Sequence, residues 1–188
     1  FAVEHWDVVP DVISLAKGIV STYLPIAAAV VKKEIADAFA GEENKLIHTL
    51  TFSGHPVSAA AALKNIEILE EENMVENSAA VGAYFKEQME GLMVDHPIVG
   101  DVRGLGLLVQ TEFVSDRATK EHFPKEALLA ARLNAGFRER GLILRASGDT
   151  ISIGPPICIT TDEIDEIVHA IDLTLWEVEG QLGIAKMT

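Results

Sequence analysis

Cysteine is nearly absent from the 188-residue sequence, which contains only Cys158. A single cysteine excludes an internal disulfide, and so low a content is common in proteins of reducing compartments. Because Cys158 stands between Ile157 and Ile159, we predict that it packs in the interior of a strand and is not a nucleophile.

Basic residues are also scarce: 15 lysines and arginines face 29 aspartates and glutamates, which gives a net charge of −14. A surface of this sign repels phosphate backbones and anionic lipids, so we expect neither nucleic acid nor a membrane as a partner. The longest apolar stretch, residues 18–31, is interrupted by Ser21, Thr22 and Pro25 and is shorter than the ~20 residues that span a bilayer. We therefore expect a soluble, cytoplasmic protein.

Metal-binding and dinucleotide-binding patterns are not found either. The six histidines show no ligand spacing such as two on one helical face, so we assign no metal. Gly104-Leu105-Gly106 lacks the rest of a dinucleotide fingerprint. Neither kind of chemistry is indicated.

Two apolar segments predict strands near the N-terminal end. Residues 8–15 end in a short apolar run, and residues 25–31 form a fully apolar run typical of a strand buried on both faces. Both are interpreted as internal strands of a mixed sheet. Because two strands alone do not make an α/β sheet, and because Phe1 begins within an apolar pattern, we expect the missing partners in a segment upstream.

The remaining elements alternate between helices and strands. Helices are predicted at 32–40, from Pro56 to a break near Asn73, at 75–93, at 125–141 and after the capping box Thr160-Thr161-Asp162-Glu163. A hairpin is predicted at 98–113, and short strands at 142–144 and 150–153. The tail after Gly183 is expected to fray. The break near Asn73 predicts the domain boundary.

Four helices carry apolar residues at helical spacing, which predicts their inward faces. These residues are Val57, Ala60, Ala61, Leu63, Ile66 and Leu69 in the first; Val81, Phe85 and Met89 in the second; Leu128, Leu129, Leu133 and Phe137 in the third; and Ile164, Ile167, Val168, Ile171, Leu175 and Val178 in the fourth.

Lys17 is the first candidate for chemistry. It follows an apolar run and precedes Gly18, at the edge of a predicted buried strand. Most lysines are solvated and have no catalytic role. Desolvation or a nearby cation, however, lowers the pKa of an amine and makes it a nucleophile that condenses with an aldehyde. The residues alone leave both interpretations open.

Thr51 and two arginines are candidates that have ordinary structural explanations. An isolated threonine such as Thr51 commonly satisfies a nearby backbone group, although the helix start at Pro56 would favour an anion nearby. Arg145 could be a surface or ion-pair residue. Arg103, next to Gly104 in a predicted strand, is interpreted as structural and paired with a carboxylate.

Several motifs agree in order and spacing with one known family. They are Phe1-Ala2-Val3-Glu4-His5-Trp6, Val9-Pro10-Asp11, Ala16-Lys17-Gly18, Tyr23-Leu24-Pro25-Ile26, Thr51-Phe52-Ser53-Gly54-His55-Pro56, Gly100-Asp101-Val102-Arg103-Gly104, Leu144-Arg145 and Pro155-Pro156. Over nearly its whole length the sequence resembles the class III aminotransferases, also called omega-transaminases.

The resemblance implies an α/β fold, that of the fold-type I transferases that depend on pyridoxal 5'-phosphate. Residues 1–73 would form the end of the large, mixed-sheet, cofactor-binding domain, and residues 74–188 the small α+β C-terminal domain. The enzyme would be a homodimer with shared active sites.

The resemblance also implies roles for four residues. Lys17 would hold pyridoxal phosphate as a Schiff base and shuttle a proton during catalysis. Thr51 would bind the cofactor phosphate of the neighbouring subunit, and Leu50 would line that subunit's substrate pocket. Arg145 would bind the carboxylate of an amino-acid or keto-acid substrate, for which its fork of donors is suited.

The implied reaction moves an amino group from an amine, omega-amino acid or amino acid to a keto acid, with pyruvate as the expected acceptor. The alternatives are another reaction of this cofactor on the same fold (an aminomutase, decarboxylase or racemase) and a non-catalytic fragment. Two residues depart from the family's usual sequence. Thr22 stands where glycine is common, and Ala27 stands where glycine or serine is usual. The family's phosphate-binding loop, its ring-stacking aromatic and its pyridine-binding aspartate would lie upstream, so we expect the chain alone to be inactive.

Overall fold

A computed structural model describes residues 1–184, which divide into two compact units, Phe1–Glu72 and the described residues from Asn73 onward. Among the described residues no helix is both long and apolar enough to cross a membrane. The tail that was expected to fray lies, apart from Ile184, outside the described residues.

The first unit is built around an antiparallel strand pair. Strand β1 (Val12–Ala16) pairs with β2 (Ala27–Val31), and Ser14 lies opposite Ala29. Both predicted strands are present. Burial on both faces is not met within this unit: the residues of both strands are exposed or half-buried. The described residues supply neither a third strand beside the pair nor a layer that buries both of its faces.

Two helices follow in the first unit. Helix α1 (Lys33–Asp37) is shorter than predicted, and α2 (Pro56–Glu71) begins at the predicted proline. The inward face predicted for α2 is wrong: Leu63 is 70% exposed, and the buried residues are Ser58 and Ala62. Alanines occupy several sides of this helix, so the spacing of apolar residues alone does not identify the face that packs.

The break predicted near Asn73 is confirmed. Helix α2 ends at Glu71, and α3 (Met74–Asp95) begins after Asn73, whose φ of 49° lies in the left-handed region. Asparagine enters this region more readily than most residues. A single residue therefore ends one helix and starts the next.

The second unit contains a four-stranded antiparallel sheet. Its strands are β3 (Val99–Leu105), β4 (Leu108–Phe113), β5 (Ala146–Ser147) and β6 (Thr150–Ile153), in the order β3-β4-β6-β5. The predicted hairpin is confirmed. The strand predicted at 142–144 is wrong, because the turn at 148–149 pairs Ser147 with Thr150 and places residues 142–144 before the paired segment.

Helices α3 and α4 (Leu129–Glu139) pack against this sheet, and α5 (Thr161–Leu182) packs against both of these helices. The predicted inward residues of α3 are confirmed, since Phe85 is completely buried and Met89 nearly so. The hydrophobic core also contains Val99, Val109, Phe113, Leu133, Phe137, Ile151, Ile164, Ile171 and Leu175. The capping box at the start of α5 is present, with both reciprocal hydrogen bonds formed.

Two predictions about single residues in this unit are wrong. Leu128 is 61% exposed, because a short 3-10 turn precedes it and its φ of 50° delays the start of α4 to Leu129. Cys158 is exposed and lies in a turn. Strand β6 ends before Pro155 and Pro156, which lack the N–H donors of a strand ladder.

Candidate functional site

Lys17 lies where β1 ends. The chain enters a 3-10 turn at Lys17–Val20, and the φ of Lys17 is 53°. Ser21 and Thr22 also have positive φ, at 47° and 59°. Left-handed backbone costs about 1–3 kcal/mol at a residue that is not glycine. Three such residues within six positions therefore mark a connection that the surrounding contacts must hold.

Hydrogen bonds inside the connection hold part of it. The Thr22 N–H donates to the Lys17 carbonyl at 3.2 Å, and the Tyr23 N–H donates to the Val20 carbonyl at 3.1 Å. Val20 is only 1% exposed and is the buried anchor of the turn. The backbone of Lys17 is thus fixed on its C-terminal side.

The side chain of Asn65, on α2, completes the connection. Its Nδ2 donates to the Gly18 carbonyl at 3.0 Å and to the Ile19 carbonyl at 3.3 Å. Its Oδ1 accepts a hydrogen bond from the Ser21 hydroxyl at 2.7 Å. These contacts join α2 to the turn that begins at Lys17.

An open cleft of about 960 Å³ lies beside this turn, wholly within the first unit. The lining residues are Ala16, Lys17, Thr22, Tyr23, Leu24, Pro25, Ile26, Ala27, Leu50, Phe52, Ser53, Gly54, His55, Ser58 and Ala59. The set includes one amine, one imidazole and several hydroxyls, and no carboxylate. A carbonyl or anionic ligand therefore meets no negative charge among these residues.

Two of the expected site residues lie in this cleft and two do not. Lys17 and Leu50 line it, whereas the neighbouring Thr51 is exposed and is not among the lining residues. Arg145 belongs to the second unit, where it is exposed just before β5. No described residue forms an ion pair or hydrogen bond with the side chain of either Lys17 or Arg145.

Arg103 contrasts with these residues and has the structural role predicted for it. Its Nη1 lies 2.5 Å from Asp101 and 2.9 Å from Glu112 on the adjacent strand. Hydrogen bonds to Glu112 and Asp101 raise the pKa of the guanidinium above its ordinary value. Arg103 therefore ties β3 to β4.

The family model "Aminotransferase class-III" matches residues 1–175. The chain belongs to this family. It is 38% identical, over 99% of its length and 36% of the relative's, to gamma aminobutyrate transaminase 1, mitochondrial, of Solanum lycopersicum. It is also 38% identical to diaminobutyrate--2-oxoglutarate transaminase of Halomonas elongata, over 97% of this chain and 40% of that protein.

Solved transaminase structures share the fold. An (S)-enantioselective omega-transaminase from Thermomicrobium roseum has 40% identity and a TM-score of 0.89, over 95% of this chain and 40% of that one. A transaminase from the marine bacterium Virgibacillus has 36% identity and a TM-score of 0.91, over 97% of this chain and 42% of that one. The expected α/β fold of pyridoxal-phosphate-dependent transferases is confirmed. The chain spans less than half the length of these relatives.

Class III aminotransferases depend on pyridoxal 5'-phosphate, and the cleft fits that cofactor on its own chemistry. The Lys17 amine has no ion-pair partner among the described residues, and no carboxylate is among the residues that line the cleft. The volume is at the upper end of small-molecule sites, which are about 300–1,000 Å³. Lys17 would hold the aldehyde carbon, and the hydroxyls and His55 offer polar contacts.

The sequence analysis missed Ser58 and Asn65. Ser58 is only 4% exposed, lines the cleft and makes no side-chain hydrogen bond to another described residue. Ser58, Ala62 and Asn65 follow the i, i+4, i+7 spacing of one helix face. The polar residues Ser58 and Asn65 share this face with the small residue Ala62. This pattern could have identified the side of α2 that faces the turn after Lys17.

A second polar cluster lies buried in the second unit. His96, fully buried, contacts Glu179 through Nδ1 at 2.9 Å and Asp172 through Nε2 at 2.8 Å. Burial lowers the pKa of His96, but the hydrogen bonds and charges of Glu179 and Asp172 outweigh it, so the pKa is raised overall. The cluster joins the end of α3 to α5 and is structural.

Proposed function

We propose that this chain supplies Lys17 as the catalytic lysine of an aminotransferase that moves an amino group from an amine, omega-amino acid or amino acid to a keto acid, pyruvate being the expected acceptor. The single observation that carries the proposal is the position of the Lys17 amine: it lies at the end of β1, has no ion-pair partner among residues 1–184, and lines a cleft whose lining residues include no carboxylate. Membership of the family supports it.

The chemistry divides between the cofactor and the protein. Bound pyridoxal phosphate supplies the electron sink for breaking a bond at the amine-bearing carbon of the substrate. Lys17 would hold the cofactor, and its Nζ would serve as the base that accepts the proton from this carbon. No carboxylate is among the residues that line the cleft, so none of them would form an ion pair with the Lys17 amine.

Leu50, Thr51 and Arg145 have supporting roles in the proposal. Leu50 forms part of a substrate pocket wall, and Thr51 holds the cofactor phosphate of a neighbouring subunit. Thr51 is exposed and does not line its own chain's cleft, which supports a role toward another subunit. Arg145 is exposed and unpaired among the described residues, so its donors are available to a substrate carboxylate.

The proposed assembly is a homodimer, with residues 1–73 in the cofactor-binding domain and 74–188 in the small domain, in the cytoplasm. Large apolar residues at 46–52 support a contact between chains, because Ile47 is 91% exposed and Phe52 is 80% exposed. Exposed apolar residues of this size, close in the chain, are typical of interfaces.

Product analysis tests the reaction. The cofactor-loaded enzyme that contains this chain is incubated with pyruvate and a primary amine or omega-amino acid, and alanine is measured by chromatography. We expect alanine in equal amount to the donor consumed. Racemised, rearranged or decarboxylated donor without consumption of pyruvate would indicate a different reaction of the same cofactor and contradict the proposal.

The length of chain required is tested separately. Because the chain spans 36% to 42% of the relatives compared here, we propose that activity requires residues beyond these 188. The isolated chain is expected to form no alanine under the same conditions. Full activity of the isolated chain would contradict this part of the proposal.

A further inference from the structure

We propose that Asn65 is a positioning residue for Lys17: it holds the left-handed turn that presents the Lys17 amine to the cleft. The inference rests on the proposed function of Lys17. It assigns control over the orientation of the reactive amine to Asn65 of α2, which is 47 residues from its partner Gly18 in the chain.

The side chain of Asn65 directs both of its N–H donors and its amide oxygen toward the turn after Lys17. Nδ2 donates to two consecutive carbonyls, those of Gly18 and Ile19, and Oδ1 accepts from the Ser21 hydroxyl. Carbonyl oxygens only accept, so the amide orientation follows from the chemistry. All three partners lie within four residues of Lys17.

Other contacts of the turn are weaker at this point. The Gly18 carbonyl accepts from the Ser21 N–H only at 3.5 Å, beyond the usual range of such bonds. A Cβ added at Gly18 would meet nothing within 4 Å, so steric packing does not fix the backbone there. The Asn65 amide is therefore the main contact that holds residues 18 and 19 against α2.

The orientation of Lys17 depends on these residues because its own φ is 53°. A residue with a Cβ leaves the left-handed region readily when its neighbours are released. A rotation of the backbone at Lys17 would move the amine relative to a ligand held by the rest of the cleft. Catalytic geometry is sensitive to such displacement.

Four variants separate this role from general stabilisation. Asn65→Leu removes all three hydrogen bonds at similar size, and Asn65→Asp replaces the donor with an oxygen that faces two carbonyls. Asn65→Gln keeps the amide. The matched control is Glu70→Gln on the same helix. Glu70 is exposed, and its side chain makes no hydrogen bond or ion pair with another described residue.

The experiment uses the cofactor-loaded enzyme that contains this chain. Three quantities are measured for each variant: kcat and KM, the pH titration of the absorbance of the Lys17-bound cofactor, and hydrogen exchange of the backbone amides at 18–23. Asn65→Leu and Asn65→Asp should lower kcat by about 10- to 100-fold with KM little changed. They should also shift the absorbance titration and speed exchange at 18–23, whereas Asn65→Gln should restore part of each value.

The outcomes distinguish the two proposals. If the parent enzyme attaches the cofactor to Lys17 but Asn65→Leu keeps the parent kcat and titration, the positioning role is wrong and the proposed function stands. If the parent attaches no cofactor at Lys17, the proposed function fails and this inference fails with it. Should Asn65→Leu fold poorly, Asn65→Asp removes both donors to the Gly18 and Ile19 carbonyls and keeps an acceptor for the Ser21 hydroxyl; parent values of all three quantities in that variant would overturn the inference.

Discussion

At the scale of single residues, Lys17 and Arg145 are both expected to contact ligand, but they differ in how firmly their positions are fixed. Lys17 is oriented by a strained turn and by hydrogen bonds from α2, whereas Arg145 precedes a two-residue strand and has no partner among the described residues. A side chain without a partner can change its position at little cost. We therefore expect the amine to be preorganised and the arginine to be movable.

Substitution of Arg145 tests its proposed role. Arg145→Ala should raise KM for a carboxylate-bearing substrate by about 10- to 100-fold, because a hydrogen bond to a charged group contributes about 1.5–3 kcal/mol. KM for a simple primary amine should not change. Steady-state kinetics with both donors measure this difference. Arg138→Ala is the control, since Arg138 is exposed on α4 and its side chain makes no hydrogen bond or ion pair with another described residue. Equal effects of Arg145→Ala on KM for both donors would contradict the proposed role.

At the scale of elements, the second unit depends on close packing between α3 and the β3–β4 turn. A Cβ added at Gly82 of α3 would lie 2.2 Å from the carbonyl carbon of Gly106. Backbone atoms do not move aside without shifting the helix or the hairpin. The absence of a side chain at residue 82 therefore allows α3 to cover the sheet.

A matched pair of glycine substitutions tests this contact. Gly82→Ala should lower the free energy of unfolding of the second unit by about 1–3 kcal/mol, as overpacking does. Gly91→Ala lies on the same helix with open space around the added Cβ, and should be neutral or stabilise by up to about 1 kcal/mol, because alanine favours helix. Urea unfolding provides the measurement; equal effects would show that the close approach is unimportant.

The contact between α3 and α5 should depend on pH. His96 meets Glu179 and Asp172 on α5, lies 4.5 Å from the Trp176 ring, and accepts a bond from Arg117 only at its backbone carbonyl. Its pKa is raised in the folded protein. The folded state therefore binds the His96 proton more tightly than the unfolded state does. The stabilisation that protonated His96 gives the folded state is complete below the unfolded pKa of about 6.5. It is lost as the pH rises through the raised pKa of the folded state.

The variant His96→Gln tests this dependence. In the parent, the free energy of unfolding should fall as the pH rises above about 6.5, and in His96→Gln this fall should be smaller. His169→Gln, an exposed histidine on α5, should keep the parent slope. Trp176 fluorescence in a Trp6→Phe background follows unfolding of the second unit. A parent slope in His96→Gln would contradict the assignment.

At the scale of the whole molecule, the periodicity of apolar residues predicted most helices and strands. It did not predict, for every helix, which side packs against another element. The stripe of Val81, Phe85 and Met89 was predictable because it is strongly apolar against polar neighbours. The packed face of α2 was not, since its contacts are made by Ser58 and Asn65 rather than by large apolar residues. Strand β5 was misplaced because a turn fixes its pairing, and pairing is a long-range property.

The candidate site was predictable to a similar extent. Lys17 was identified through its motif, but the residues that orient it lie in another element, and no local pattern around Lys17 points to Asn65. Only the folded connection brings them together. The roles of Leu50, Thr51 and Arg145 remain proposals, and the substitution of Arg145 above tests one of them.

The central claim is that Lys17 binds the cofactor covalently. The cofactor-loaded enzyme that contains this chain is reduced with borohydride, digested and mapped by mass spectrometry, beside a Lys17→Ala variant and a Lys64→Ala control, Lys64 being paired with Glu67 on α2. We predict one phosphopyridoxyl adduct, on the peptide with Lys17, that disappears in Lys17→Ala together with alanine formation and persists in Lys64→Ala. An adduct on another lysine, or turnover that survives Lys17→Ala, would contradict the account.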